Sequence, residues 1–253
     1  MKQFCVLNCE NSKAWQPTSF ADMFTLHLRE PSDARWDVVH LAAGDPLPEN
    51  VISMYDGFVI TGSHFNCRDN LTWFGPLREL IVEVERVGRP FIYGGCFGHQ
   101  ICAEALGGSV DFNPGKRFVL KAESISISDS FRALVEATGM ELSSAQESLK
   151  IIQSHGDCVA SIGPKGKLLA TSPSCQNEII LYGARNNILT CQCHPEFDFD
   201  YAIEERIWKS VVDLNKRLNE SEIQLARDSF MNYEKYNDRW FLLNLLKQFL
   251  HQY

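Results

Sequence analysis

Residues 90–100 read PFIYGGCFGHQ, an apolar strand-like run that meets two glycines, a cysteine and, two positions later, another glycine. The helix-like segment 101–106 follows and is closed by a Gly-Gly pair, as helix C-termini favour glycine. On such a sharp strand-to-helix turn a side chain is exposed, and flanking glycines let backbones approach closely. The N–H groups and dipole at the start of the helix favour a thiolate. The stretch therefore predicts a nucleophile elbow at Cys96, with a buried structural cysteine as the alternative.

The first hundred residues alternate between strand-like and helix-like segments. Residues 4–7, 36–42, 58–61 and 91–93 are short apolar runs, which are typical of a parallel sheet covered on both faces. Residues 72–87 carry apolar side chains at helical spacing between the last two runs. The pattern predicts an α/β fold in which a strand–helix–strand unit ends at the elbow.

The rest of the chain predicts hairpins and then helices. Strands are expected at 118–120, 124–128, 149–153, 168–171, 178–184 and 188–192, and helices at 129–138, 201–218, 221–233 and 239–253. No linker or repeat separates these segments. We therefore expect a single domain over residues 1–253, with a core at about 2–215 and a helical C-terminal extension at about 219–253.

Composition excludes several classes of protein. The 253 residues are 45% hydrophobic and 22% charged with a net charge of −8, which describes a soluble globular chain. The acidic balance and the absence of a Lys/Arg cluster argue against nucleic-acid binding, and no apolar run is long enough to cross a membrane. The nine cysteines lack the spacing of a disulfide framework. Without a secretion signal, reduced thiols and a cytoplasmic location are expected.

A second segment offers the base that a cysteine nucleophile needs. Cys193-His194-Pro195-Glu196 follows the strand predicted at 188–192. Proline keeps His194 extended, so His194 and Glu196, two residues apart, face the same side. A carboxylate there orients the imidazole and stabilises its charged form. The pair predicts a base and its orienting partner for Cys96, whereas an isolated His-Pro-Glu would be a turn.

Four motifs together resemble a known family. Residues 61–63 (TGS), 94–100 (GGCFGHQ), 154–157 (SHGD) and 194–196 (HPE) occur in the order and spacing of class I glutamine amidotransferase domains. The chain especially resembles the stand-alone branch that includes the plant γ-glutamyl peptidases. The resemblance runs from about residue 2 to about residue 215. It implies a flavodoxin-like fold with a mixed central sheet flanked by helices.

The resemblance also implies roles for the motif residues. Cys96 would form a γ-glutamyl thioester, His194 would act as acid and base, and Glu196 would orient His194. The substrate's amino and carboxylate groups would be held by Gln100 and by the loop of Ser154, His155, Gly156 and Asp157. A zwitterionic group of this kind needs both acceptors and donors nearby.

An oxyanion hole is expected beside the nucleophile. Acyl transfer needs backbone N–H groups fixed before reaction, and Phe97 supplies one directly after Cys96. The resemblance places the second at Gly62, with Ser63 as the alternative. Compared with the family pattern, Ser63 replaces a glycine, Gly95 an aliphatic residue and Cys193 a glycine.

The expected activity is therefore cysteine-dependent hydrolysis or transfer of γ-glutamyl amide bonds in γ-glutamyl peptides, glutathione or its conjugates, or glutamine. The alternatives are a glutaminase subunit that feeds ammonia to a separate synthetase, and a non-catalytic relative that binds a metabolite. A hydrolase of the DJ-1/PfpI type is disfavoured because its histidine follows the nucleophile, where this chain has Phe97. We expect no cofactor and no metal, since Cys191, Cys193 and His194 alternate in direction and make a poor tetrahedral set.

Overall fold

The computed structural model describes residues 1–15, 20–231, 233 and 235–252. The strands are β1 (Gln3–Leu7), β2 (Arg35–Val39), β3 (Gly57–Ile60), β4 (Phe91–Gly95), β5 (Ser109–Phe112), β6 (Val119–Ile127), β7 (Ser148–His155), β8 (Asp157–Ser161), β9 (Gly166–Thr171), β10 (Ile179–Tyr182) and β11 (Ile188–Cys191). Besides short 3-10 turns, the helices are α1 (Phe20–Leu28), α2 (Val51–Met54), α3 (Phe74–Val87), α4 (Phe97–Ala105), α5 (Asp129–Ala137), a π-helix (Phe199–Leu214), α6 (Glu220–Phe230) and α7 (Arg239–Leu250).

Nine of these strands form one mixed sheet in the order β2-β1-β3-β4-β11-β10-β9-β6-β7. The strands from β2 to β11 run parallel to their neighbours. The strands from β11 to β7 pair antiparallel. The α/β class and the mixed sheet predicted from the sequence are therefore confirmed.

Helices cover both faces of the sheet. Every residue of β3, β4 and β11 is buried, as their continuous apolar character predicts. One apolar core joins the sheet to α1, α5, α6 and α7, and a second joins it to α3 and α4. The helices after residue 219 thus contribute to one of the main cores.

The register brings the carboxyl ends of three parallel strands together. Ile60 of β3 pairs with Gly94 of β4, and Cys191 of β11 pairs with Gly95. The Cys96 amide then donates a 2.8 Å hydrogen bond to the Cys191 carbonyl. Because ligands of open α/β sheets bind at this edge, the segments that follow β3, β4 and β11 begin side by side where a site is expected.

The middle of the chain differs from its prediction. The two strands expected at 118–120 and 124–128 are one continuous strand, β6, paired with β7 from Val119↔His155 to Ser126↔Ser148. The small sheet of β5 and β8 was not predicted. In both cases pairing with a distant segment fixes the strand, and local pattern does not record that pairing.

The helix predicted over 201–218 is a π-helix that ends at Leu214. The Asn215 amide donates to the Ser210 carbonyl five residues earlier, as π-helical turns require. Val211 and Leu214 stand three positions apart, a spacing that puts two residues on one face of an ordinary helix. Leu214 is nevertheless 76% exposed while Val211 is buried, because the wider turn changes the direction of successive side chains.

The C-terminal helices lie close to their predicted positions. α6 and α7 occupy most of the segments predicted at 221–233 and 239–253. Asn232 and Tyr253, which fall in those predictions, lie outside the described residues. Within the described part of the chain, we find no helix with the length and apolar character needed to cross a membrane.

Candidate active site

The cysteine predicted as nucleophile lies at the turn between β4 and α4. Cys96 has φ 50° and ψ −102°, a left-handed conformation that is costly for a residue with a side chain. The turn depends on its glycines, since a Cβ on Gly94 would lie 2.8 Å from the Gly98 carbonyl oxygen. A Cβ on Gly98 would lie 2.3 Å from the Ile60 carbonyl oxygen. Only glycine avoids these clashes, so the two glycines allow the close approach of backbones that a nucleophile elbow requires.

The predicted base and its partner are joined by a short hydrogen bond. Nδ1 of His194 lies 2.7 Å from Oε1 of Glu196, and both side chains are buried. The Phe197 ring stacks on the imidazole at 4.2 Å with an interplanar angle of 9°. The carboxylate and the ring together fix the orientation of the imidazole and direct Nε2 away from Glu196.

The sulfur and the imidazole converge on one carbonyl. Sγ of Cys96 lies 3.9 Å and Nε2 of His194 3.3 Å from the Ser154 oxygen. Burial opposes charging of the imidazole, but Glu196 and Cys96 together raise the pKa of His194 well above its ordinary value. The structure thus brings the three predicted residues into one site, with a cationic imidazole favoured beside the sulfur.

A glutamine that the sequence analysis did not single out also contacts the sulfur. Nε2 of Gln192 lies 3.5 Å from Sγ of Cys96, and its Oε1 accepts a 3.0 Å hydrogen bond from Gln100. Gln100 also donates to the Asp157 carbonyl at 3.0 Å. Gln192 directly follows β11, and its contact with the sulfur requires β4 and β11 to be adjacent, which local sequence spacing does not show.

The turn after β3 lies against the nucleophile. A Cβ on Gly62 would lie 3.5 Å from Cβ of Cys96. The Thr61 hydroxyl donates to the Gly62 carbonyl at 2.9 Å, and the Ser63 hydroxyl donates to the Cys9 carbonyl at 2.5 Å. The Ser63 hydroxyl therefore ties this turn to the segment that follows β1.

Free backbone amides occur directly after Cys96 and in the turn that packs against it. Within the described ranges, the N–H groups of Gly62, Ser63 and Phe97 have no hydrogen-bond acceptor. The Phe97 amide is free because it opens α4, where helical N–H groups have no partner in the helix. Because the Gly62 carbonyl points to Thr61, the Ser63 N–H across the same peptide plane points the opposite way. Because the amides of Gly62 and Ser63 are both free, both remain candidates for the second donor of the oxyanion hole.

The predicted substrate loop is a bend between β7 and β8. His155 Nδ1 lies 3.0 Å from the Asn113 side-chain oxygen and 3.1 Å from the Asp157 carbonyl. Both partners accept, so Nδ1 carries the proton and the buried Nε2, which has no partner in the described chain, is an acceptor. Burial, the main cause, lowers the pKa of His155 to about 3 and keeps the ring neutral. The Asp157 carboxylate accepts two hydrogen bonds from Arg68, at 2.8 and 2.9 Å.

These segments enclose a cavity of about 340 Å³. A volume of this size is typical of small-molecule sites, which run from about 300 to 1,000 Å³. The residues that line it from the predicted set are Ser63, Cys96, Gln100, Ser154, His155, Gly156, Asp157 and His194. Glu196 lies behind His194, and its remaining carboxylate oxygen is buried without a described partner. The cavity offers a sulfur, a proton acceptor and anchoring groups to one bound molecule.

Comparison with known proteins identifies the family. The family described as "Glutamine amidotransferase class-I" matches residues 35–207, more than half of the chain. The chain belongs to the class I glutamine amidotransferases. It is 29% identical to the Saccharomyces cerevisiae protein YLR126C over 93% of this chain and 90% of that protein. It is 30% identical to gamma-glutamyl peptidase 3 of Arabidopsis thaliana over 85% of this chain and 82% of that enzyme.

Solved structures confirm the fold. A glutamine amidotransferase of Thermotoga maritima aligns with a TM-score of 0.72 and 16% identity, covering 99% of both chains. One from Methylobacillus flagellatus aligns with a TM-score of 0.69 and 20% identity, over 99% of this chain and 92% of that one. The amidotransferase fold that the sequence motifs predicted is therefore confirmed.

Two departures from the amidotransferase pattern have structural explanations. A Cβ on Gly95 would lie 3.1 Å from the Tyr93 hydroxyl, so Tyr93 occupies the space of the usual aliphatic side chain. That hydroxyl lies 3.2 Å from Sγ of Cys191, which holds the ring in place. Cys193 is fully buried, and burial above all raises the pKa of its thiol well above the ordinary value. Cys193 is therefore a packing residue of this amidotransferase.

The C-terminal extension contacts the His-Pro-Glu segment directly. Arg239, the first residue of α7, is buried and donates to the Pro195 carbonyl at 3.1 Å and the Glu196 carbonyl at 3.3 Å. Its Nη2 lies 3.3 Å from Nε2 of His27. Burial and then the Arg239 charge lower the pKa of His27, which leaves a neutral ring that can accept this hydrogen bond. No local sequence signal links Arg239 to residues 43 positions away.

We expect Arg239→Met to lower the free energy of unfolding by about 2 kcal/mol, since two buried carbonyls would lose a charged donor. Urea unfolding measures the change. Lys247→Met removes the same charge from the same helix but breaks only a 3.3 Å pair with Glu30. Its expected cost is below about 1 kcal/mol. Equal losses in the two variants would show that Arg239 does not brace the segment.

Proposed function

We propose that this chain cleaves γ-glutamyl amide bonds through a thioester on Cys96. The observation that carries the proposal is the convergence of the Cys96 sulfur and the His194 imidazole on one carbonyl, at 3.9 and 3.3 Å. Free backbone amides lie directly after Cys96 and in the turn that packs against it. An activated nucleophile, an oriented base and preset donors are the groups that acyl transfer requires.

In this proposal the proton of the Cys96 thiol already resides on His194, and the resulting thiolate attacks the γ-carbonyl carbon. The negative charge that develops on oxygen is stabilised by the Phe97 amide and by that of Gly62 or Ser63. His194 returns the proton to the departing amine as the C–N bond breaks and the thioester remains. Water deprotonated by His194 then releases glutamate, or an acceptor amine takes the γ-glutamyl group.

Glu196 has a distinct part in the proposal. Its 2.7 Å hydrogen bond to Nδ1 selects the tautomer that leaves Nε2 for proton transfer. The carboxylate also stabilises the imidazolium formed when the thiol loses its proton. That role agrees with the raised pKa of His194, to which Glu196 contributes.

The glutamyl group would be held by the loop between β7 and β8, with Gln100 beside it in the cavity. His155 and Asp157 both line the cavity, where the oxygen atoms of this loop would accept from the substrate's ammonium group. Gln100 uses its amide nitrogen to position Gln192 and the Asp157 carbonyl, so it would support the substrate site indirectly.

The relatives favour a γ-glutamyl peptide over free glutamine as substrate. The match to Arabidopsis gamma-glutamyl peptidase 3 covers 82% of that enzyme. The match to the GMP synthase of Bordetella avium, 30% identical, covers only 25% of that protein. The second candidate remains a glutaminase subunit that delivers ammonia to a separate synthetase, because GMP synthases are among the relatives.

The two candidates predict different preferences for the purified chain. We expect kcat/KM for a γ-glutamyl peptide such as glutathione to exceed that for glutamine by about tenfold or more, which corresponds to roughly 1.4 kcal/mol. Release of the dipeptide and of ammonia measures the two reactions. A preference for glutamine would favour the glutaminase subunit. If neither compound is hydrolysed and neither acylates Cys96, the chain is a non-catalytic relative.

A further inference from the structure

One wall of the cavity carries two basic side chains, and one of them, Arg217, has no carboxylate partner among the described residues. Arg217 and His64 both line the cavity that contains Cys96. The charge of Arg217 also acts, as a minor contribution, to lower the pKa of His64. Both side chains are exposed to solvent.

The Arg217 guanidinium has unused hydrogen-bonding capacity. It lies 5.3 Å from the centroid of the Phe118 ring and has no hydrogen-bond or ion-pair partner among the described residues. No carboxylate in the described ranges lies within ion-pair distance of it. A guanidinium offers five N–H donors in a fork that matches a carboxylate.

His64 adds a second donor on the same wall. Its Nδ1 lies 2.7 Å from Oε1 of the buried Glu10 carboxylate, whose Oε2 accepts from the His64 backbone amide at 2.8 Å. The hydrogen bond to Glu10 raises the pKa of His64. With Nδ1 committed to Glu10, Nε2 is left facing solvent, where it can donate to an anion.

The acidic groups lining the cavity already have partners. Glu10 accepts from the Ser12 amide and from His64, and Asp157 accepts two hydrogen bonds from Arg68. The charge left available to a bound molecule on this wall is therefore positive. Ammonia, as a leaving group, is too small to reach this wall. A leaving peptide can reach it with its C-terminal carboxylate.

We infer that Arg217 and His64 form a subsite for the terminal carboxylate of the leaving peptide. The inference rests on the proposed function, because it assumes that the γ-glutamyl group lies between this wall and the loop of β7 and β8. It assigns the substrate class as γ-glutamyl peptides with a free C-terminus. Such a carboxylate would bridge the Arg217 fork and Nε2 of His64.

Binding tests the subsite without relying on turnover. Cys96→Ala, which lacks the nucleophile, is titrated calorimetrically with the thiol-free peptide γ-glutamyl-alanyl-glycine and with its C-terminal amide. We expect the acid to bind about tenfold more tightly than the amide, as one charge-assisted contact at a solvent-exposed site implies. In the double variant Cys96→Ala/Arg217→Gln, the ratio of the affinities for the acid and the amide should be close to one.

Lys216→Gln is the matched control, because it removes the same charge from the adjacent exposed residue, which does not line the cavity. It should leave the acid-to-amide ratio unchanged. Arg217→Lys keeps a charge without the fork and should give an intermediate ratio. Similar affinities for acid and amide, equal weakening of both by Arg217→Gln, or no binding of either peptide would overturn the subsite. If the ratio behaves as expected but the unmodified chain hydrolyses neither peptide, the proposed function fails and the subsite stands.

Discussion

Serine in place of Cys96 is expected to lower kcat for γ-glutamyl transfer by about 1,000-fold or more, with little change in folding stability. A serine hydroxyl is a far weaker nucleophile than a thiolate, and the amide donors would stabilise an intermediate that forms too slowly to matter. Steady-state release of glutamate from a γ-glutamyl peptide measures the loss. Urea unfolding of the same variant confirms that it folds.

Cys158→Ser is the control for this experiment, because Cys158 is a partly exposed thiol that does not line the cavity. It should retain turnover. Hydroxylamine should trap a γ-glutamyl hydroxamate with the unmodified chain and with Cys158→Ser, but not with Cys96→Ser. Unchanged turnover in Cys96→Ser would remove the covalent mechanism altogether.

The parts of the site that sequence predicted are those set by short-range rules. Gly94 and Gly98, each two residues from Cys96, define the elbow, since a side chain at either position would clash with neighbouring backbone. The proline between His194 and Glu196 keeps the backbone extended, so that both side chains lie on the same side of the chain. In the structure, Nδ1 of His194 and Oε1 of Glu196 are 2.7 Å apart. In each case the chemistry and the spacing are encoded within a few neighbouring residues.

The parts that sequence missed depend on distant pairing. The contact of Gln192 with the sulfur needs β4 and β11 to be adjacent, and the Arg239 hydrogen bonds need α7 to pack behind the site. The π-helix shows a different limit. Its apolar residues follow ordinary helical spacing, and the sequence pattern does not show that the turns are wider and that Leu214 is exposed.

The second large effect is expected at the elbow glycine. Gly98→Ala should lower the free energy of unfolding by about 3 kcal/mol, because its Cβ would lie 2.3 Å from the Ile60 carbonyl oxygen. That oxygen belongs to the backbone of a buried strand, so it cannot rotate aside as a flexible side chain could. Either β3 or the start of α4 must move. Urea unfolding measures the loss.

Turnover of Gly98→Ala should fall as well, since a shift of α4 moves the Phe97 amide relative to the sulfur. Gly75→Ala in α3 is the matched control: its Cβ would meet nothing within 4 Å. Alanine there should change the free energy of unfolding by less than about 1 kcal/mol, because its gain in helix propensity is offset by crowding against the ring of Pro76, and turnover should be unchanged. If Gly98→Ala were as stable and as active as Gly75→Ala, the close approach of α4 to β3 would not be what holds Cys96 in its left-handed conformation. The strain at Cys96 would then have to be maintained by the hydrogen bond of its amide to the Cys191 carbonyl.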